Sequence, residues 1–106
     1  MPNNIPSSAK VVVIGGGVAG CSVAYHLAKY GWKDVVLLER DQLTSGTTWH
    51  AAGLVGQLGA SATITKFRKY SLDLYKQLEK ETGLSTGLKQ NGAVTVATTA
   101  SRLEEL

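Results

Sequence analysis

Apolar and polar positions divide the chain into stretches of distinct character. Val11-Val12-Val13-Ile14 is a β-branched run with no polar alternation, the pattern of a strand buried on both faces within a parallel sheet. It passes directly into Gly15-Gly16-Gly17-Val18-Ala19-Gly20. Beyond the glycines, Cys21, Ala24, Tyr25 and Ala28 recur at i, i+3, i+4 and i+7, which predicts a helix with those residues on its buried stripe. Lys29 and Gly31 supply the cation and the C′ glycine expected where such a helix ends. A second apolar run, Val35-Val36-Leu37-Leu38, closes on Glu39. Strand, glycine turn, helix and strand make a βαβ unit of about 30 residues.

The pattern changes after Asp41. Residues 44–63 are rich in glycine, serine and threonine and contain no Asp, Glu, Lys or Arg; a loop of this length inside a compact domain is usually either functional or a misassigned element. From Ile64 to Thr82, Phe67, Tyr70, Leu74 and Leu78 form a helical stripe, flanked by Lys66, Lys69, Asp73, Lys76 and Lys80 as a solvated face, with Gly83 as the stop. Asn91-Gly92 reads as a turn, and Ala93 to Thr98 alternates as a strand does. Ser101 to Glu104 has the spacing of a capping box and opens a helix close to the last residue. A chain that starts a helix and then stops looks like the N-terminal part of a longer one, inactive in isolation. The fold class expected is α/β: a partial Rossmann-like domain over 10–106, preceded by a flexible lead-in at 1–9 that holds both prolines.

Composition narrows the possibilities. With 106 residues, 43% apolar and 18% charged, the chain is globular in character. Its single cysteine, Cys21, supports neither an internal disulfide nor a multi-thiolate metal site and reads as a small core residue. A net charge of +3, spread along the chain, is too weak a signal for nucleic acid. No apolar run is long enough to span a membrane, and no secretory signal is visible. A bacterial cytoplasm or a mitochondrial matrix is the expected compartment. His26 lacks a companion at metal-ligand spacing, and Trp32 reads as structural.

The glycine run carries the first candidate chemistry. Gly15 allows the tight turn off the first strand, Gly17 lets backbone approach a pyrophosphate, and Gly20 lets helix and sheet pack closely. Amides near Gly17, Val18 and Ala19 open the helix and present partial positive charge to phosphate. Glu39 follows Gly20 by 19 residues, where an acid can accept hydrogen bonds from an adenosine ribose. Its charge disfavours a 2′-phosphate and hence NADP, and Arg40 is placed to lie along the adenine. FAD and NAD are not separated by this fingerprint.

The loop from Thr44 to Gly56 is the second candidate. His50 lies eleven residues beyond Glu39, and an extended chain reaches about 3.3–3.6 Å per residue, enough to run from the ribose past the pyrophosphate to the far end of a dinucleotide. Gly46 and Gly53 permit close backbone approach; Ser45, Thr47 and Thr48 offer hydroxyls and amides; Trp49 either packs on a ring or anchors the loop. The segment Thr44-Ser45-Gly46-Thr47-Thr48-Trp49-His50-Ala51-Ala52-Gly53-Leu54 resembles the flavin-embracing stretch of the sarcosine and dimethylglycine dehydrogenases and related N-methyl-amine oxidases. The resemblance runs from about Lys10 to Leu106, with Glu39 and Arg40 at the acid and its neighbour.

That resemblance implies FAD joined covalently through His50, with Gly46 to Leu54 around the flavin. It implies oxidation of the N-methyl C–N bond of a small secondary or tertiary amino acid, with electron-transfer flavoprotein or oxygen as acceptor. Tetrahydrofolate would be served by a domain outside these residues, and the catalytic groups lie further along the family's chains. A non-catalytic regulatory subunit of the same architecture, which lacks the flavin-linking histidine, is the principal rival. A noncovalent FAD amino-acid oxidase and a plain NAD dehydrogenase are weaker ones.

Overall fold

The computed structural model describes residues 4–106; the first three residues of the lead-in lie outside them. The chain divides into two compact units, one ending at Gly53 and one beginning at Leu54.

In the first unit, strand β1 (Val11–Ile14) leads through the glycines into helix α1 (Val18–Lys29) and returns in strand β2 (Val35–Leu38). The strands pair in parallel, Val11 opposite Val35 and Ile14 opposite Leu38. A parallel pair needs a crossover, and α1 provides it, ending where expected. Gly31 takes φ +83°, its amide bonds to Ala28 O at 3.0 Å and that of Trp32 to Leu27 O at 3.0 Å, a Schellman pair that satisfies the last carbonyls.

The expectation that β1 is buried on both faces is corrected. Val11 and Val13 are half-buried, whereas Val12 and Ile14 are 50% and 86% exposed. One crossover helix covers one face of a two-stranded sheet, and alternate side chains point to the other. Ala28 is likewise exposed, while Cys21, Ala24 and Tyr25 are half-buried. His26 is half-buried too, its Nδ1 2.7 Å from Ser22 O.

In the second unit, α2 spans Ala62–Thr82, starting two residues before the expected Ile64 because Ser61 accepts the Ile64 amide as its N-cap at 3.3 Å. Gly83 ends it at φ +68°, its amide on Glu79 O. The inward side is not the one expected: Phe67 and Tyr70 are 71% and 46% exposed, Leu74 and Leu78 are half-buried, and Leu72 is the buried position. The preceding segment is bonded along that other side. Arg68 Nη1 donates to Leu58 O at 2.6 Å, and the Gly59 amide donates to Thr65 Oγ1 at 3.0 Å. Lys66, Lys69, Asp73 and Lys80 are exposed as expected, and Lys69 and Asp73 pair at 3.0 Å.

Residues 93–98 are not a strand. Val94 and Val96 are 91% and 77% exposed; the alternation is present, but a strand exists only through ladder bonds to a partner, and no partner lies among the described residues. Gly92 takes φ +77° at the expected turn. Helix α3 (Ala100–Glu105) is capped by Thr99, whose Oγ1 accepts the Arg102 amide at 3.3 Å, and not by Ser101. The extended Thr99 backbone suits a cap, whereas Ser101 is already helical. Among the described residues no helix is long and apolar enough to cross a membrane.

Candidate functional site

The glycine turn is held from three sides. Its first residue, Gly15, takes φ +103°, a conformation open to glycine, and donates its amide to Leu38 O at 2.8 Å. A Cβ on Gly20 would fall onto the carbonyl oxygen of Gly15, far inside the 3.0 Å that real Cβ atoms respect. The third fingerprint glycine is thus a packing requirement, as its position implied.

Gly16, which the fingerprint leaves unspecified, is the buried member. Its amide donates to Glu39 Oε2 at 2.7 Å, and its carbonyl accepts from the Thr44 amide at 2.9 Å and weakly from Cys21 Sγ at 3.4 Å. A Cβ there would collide with Leu43 and stand 3.1 Å from Glu39. Leu43, Thr44 and Cys21 are the neighbours that sequence reasoning missed or read as inert. The available signal was Gly16 itself, the middle one of three consecutive glycines, which a GxGxxG match does not need.

Glu39 closes the same turn. Oε2 takes the Gly16 amide, and Oε1 takes the Asp41 amide at 3.0 Å. These amides, Gly16 first, then the Arg40 amide and the Arg40 charge, hold its carboxyl below the usual carboxylate range. Each carboxylate oxygen can still accept a further bond, so a ribose hydroxyl has a place. Arg40 is exposed beside it.

The loop after Asp41 is wound up, not extended. Thr44 takes φ +66°, the single non-glycine positive φ among the described residues, and Thr47–His50 forms a 3₁₀ turn. A 3₁₀ turn rises about 2.0 Å per residue, so this segment reaches less far than extended chain does. Thr48 Oγ1 accepts the Val18 amide at 2.9 Å; of the amides expected to greet phosphate, this one already has a partner. Trp49 Nε1 donates to Ser45 O at 2.9 Å, which anchors that ring. His50 Nδ1 lies 3.1 Å from Gly46 O, and its ring sits 3.8 Å from that of Trp49. A carbonyl only accepts, so Nδ1 carries the proton and, in the neutral ring, Nε2 keeps the lone pair.

These pieces border a cleft of about 460 Å³ whose wall includes Gly15, Gly17, Glu39, Arg40, Thr47 and Thr48, with Ser45 and Gly46 beside them. Of the other expected site residues, Val18, Ala19 and Gly20 open α1, while Trp49, His50, Ala51, Ala52 and Gly53 lie in or just after the turn. Leu54 begins the second unit and is 91% exposed.

Residues 10–106 match the model of the FAD dependent oxidoreductase family. The chain belongs to that family. It is 51% identical over 102 residues to human mitochondrial sarcosine dehydrogenase and 50% over 97 to human mitochondrial dimethylglycine dehydrogenase, covering 95% and 92% of this chain but 11% of each relative. The 4-methylaminobutanoate oxidase (formaldehyde-forming) of Paenarthrobacter nicotinovorans is 47% identical over 102 residues, 96% of this chain and 12% of that enzyme. A mouse mitochondrial protein named pyruvate dehydrogenase phosphatase regulatory subunit is 46% identical over 102 residues, with the same coverage. The chain thus spans about an eighth or less of the length of each of these four relatives.

The cleft suits a dinucleotide on its own geometry. The glycines keep side chains off the helix start, the acid stands beside them, and a Cβ on Gly17 would meet only Thr48 Oγ1, at 3.0 Å.

Proposed function

We propose that this chain supplies the adenosine- and pyrophosphate-binding part of a Rossmann-like domain, together with the flavin-linking loop, of an FAD-dependent enzyme that oxidises the N-methyl C–N bond of a small secondary or tertiary amino acid. The observation that supports this most directly is the joining of the two candidate motifs in one unit. Glu39 bonds to the glycine turn through Gly16, and the turn bearing His50 bonds to the helix start through Thr48.

When bound, FAD would supply the two-electron acceptor for a C–H bond beside an amine nitrogen. The roles of this chain's residues follow from their chemistry. Glu39 accepts from the ribose, with Arg40 beside the adenine. The start of α1, over Gly17, Val18 and Ala19, presents partial positive charge to the diphosphate. Ser45 to Thr48 line the path onward, and Ala51 to Gly53 continue it. His50 is the attachment residue through Nε2, because Gly46 O holds the proton on Nδ1. Trp49 braces the imidazole. The imine of the oxidised substrate either hydrolyses to formaldehyde and the shortened amine or passes its one-carbon unit to tetrahydrofolate, and electrons leave to electron-transfer flavoprotein or oxygen; those steps use residues beyond this chain.

The relatives' names support the substrate class, since three of them refer to N-methylated amino acids or an oxidase that forms formaldehyde. The relative named as a regulatory subunit supports a second reading, action through protein interaction. The test is to denature and precipitate the full-length protein and to look for flavin on the peptide bearing His50. The expected result is a histidyl-flavin adduct, absent from His50→Ala, with turnover of an N-methyl amino acid. Flavin released to the supernatant removes the covalent step, and no flavin in either fraction favours the regulatory reading.

A further inference from the structure

We propose that Thr48 is a positioning residue that couples occupation of the phosphate-binding glycine turn to the placement of His50. The inference rests on the dinucleotide reading above and extends it to how two parts of the site communicate.

Helix α1 has Gly17 at its N-cap position, with no side chain to cap it, and a helix start leaves several amides without intrahelical partners. One of them, Val18, is satisfied from 30 residues away by Thr48 Oγ1 at 2.9 Å. The contact is steric as well as polar. Thr48 Oγ1 would lie only 3.0 Å from a Cβ on Gly17, so the absence of a side chain there is what lets the hydroxyl reach the amide.

A second tie, from the Thr44 amide to Gly16 O at 2.9 Å, holds the near end of the same segment. Between and beyond these two ties the turn is braced internally. Trp49 and His50 each reach back four residues to a backbone carbonyl, Ser45 O and Gly46 O. A displacement at Thr48 is therefore carried to the imidazole through short, closed rings.

The hydroxyl has a further capacity. In accepting the Val18 amide it keeps its own proton, and an oxygen that accepts one hydrogen bond is a stronger donor of the next. Thr48 borders the same cleft as Gly15 and Gly17. A phosphate oxygen at the helix start meets both the amides of α1 and this hydroxyl, which carries the helix's positive end outward by one group. A diphosphate that bonds to Thr48 thus immobilises the turn on which His50 is mounted, before any ring arrives.

ADP separates this proposal from flavin chemistry, because it carries the diphosphate and adenosine but no ring. Full-length apoprotein, produced under riboflavin limitation, is followed by amide hydrogen exchange with and without ADP. ADP is expected to slow exchange in both 15–20 and 44–53. Thr48→Ser keeps that response. In Thr48→Val, exchange over 44–53 is about fivefold faster without ADP, the scale of a lost helix cap, and ADP slows the glycine turn alone. On adding FAD, Thr48→Val binds it yet attaches it to His50 more slowly than Thr48→Ser does.

ADP protection confined to 15–20 in the wild type, or an unchanged response in Thr48→Val, overturns the coupling and leaves the dinucleotide site standing. Protection of neither segment overturns both. A wild-type protein whose 44–53 segment responds to ADP through Thr48, but which carries no flavin on His50, supports the coupling and removes the covalent step alone. Where Thr48→Val does not fold, wild-type protection confined to 15–20 still overturns the coupling, and Thr48→Ala supplies the variant comparison.

Discussion

Replacing Gly20 with alanine tests the architecture on which every functional statement depends. The added Cβ would fall on Gly15 O and stand 3.0 Å from Gly15 C and 3.4 Å from Val13 Cγ1. A flexible side chain would yield; a backbone carbonyl does not, and the Gly15 amide is itself tied to Leu38 O at 2.8 Å. Helix α1 must instead withdraw from the glycine turn. Overpacking of this kind costs about 1–3 kcal/mol, and a clash with restrained backbone belongs at the upper end. The better helix propensity of alanine returns at most about 1 kcal/mol. The net of about 2 kcal/mol, read as binding, is roughly a 20- to 30-fold loss of affinity. Calorimetric titration of full-length apoprotein with ADP measures it. Gly56→Ala is the control, since no atom lies within 4 Å of its Cβ position. A folded Gly20→Ala protein that binds ADP within about twofold of wild type would refute the claim that α1 must press against the turn.

Two further outcomes accompany the His50 and Thr48 experiments. The Glu39 carboxyl is held below its ordinary value of 4.5 by the Gly16 and Asp41 amides, so its stabilising contribution is complete above that pH and is lost as pH falls through the lowered native value. The protection of 15–20, taken relative to the intrinsic exchange rate at each pH, should fall in that acid window, and Glu39→Gln should be less protected at pH 7 and show a smaller acid-side change; an identical protection profile in the variant would contradict this. Ser61→Ala removes the N-cap of α2 and should cost about 1 kcal/mol locally, read as roughly fivefold faster exchange at 62–65 with the glycine turn unaffected.

Much of this was legible in the chain itself, for physical reasons that differ by element. The βαβ unit followed from periodicity and from two glycines: Gly15 and Gly31 both take positive φ, a local demand that a sequence expresses directly. Gly83 ended α2 for the same reason. The placement of Glu39 beside the glycines is likewise local, since parallel pairing sets the ends of β1 and β2 side by side.

The tertiary structure decided what depends on partners. Ala93 to Thr98 has the alternation of a strand, but hydrogen bonding to a neighbour makes a strand, and none pairs with it among the described residues. The inward face of α2 turned on which segment packs against it, and so Leu72 was chosen over Phe67. Gly16, Thr44 and Thr48 acquired their importance only through contacts over 23 to 30 residues of chain. Residue types and short-range geometry determined that a glycine turn, an acid and a histidine-bearing loop exist. Where those pieces meet was settled by hydrogen bonds between positions distant in sequence, and no periodicity encodes them.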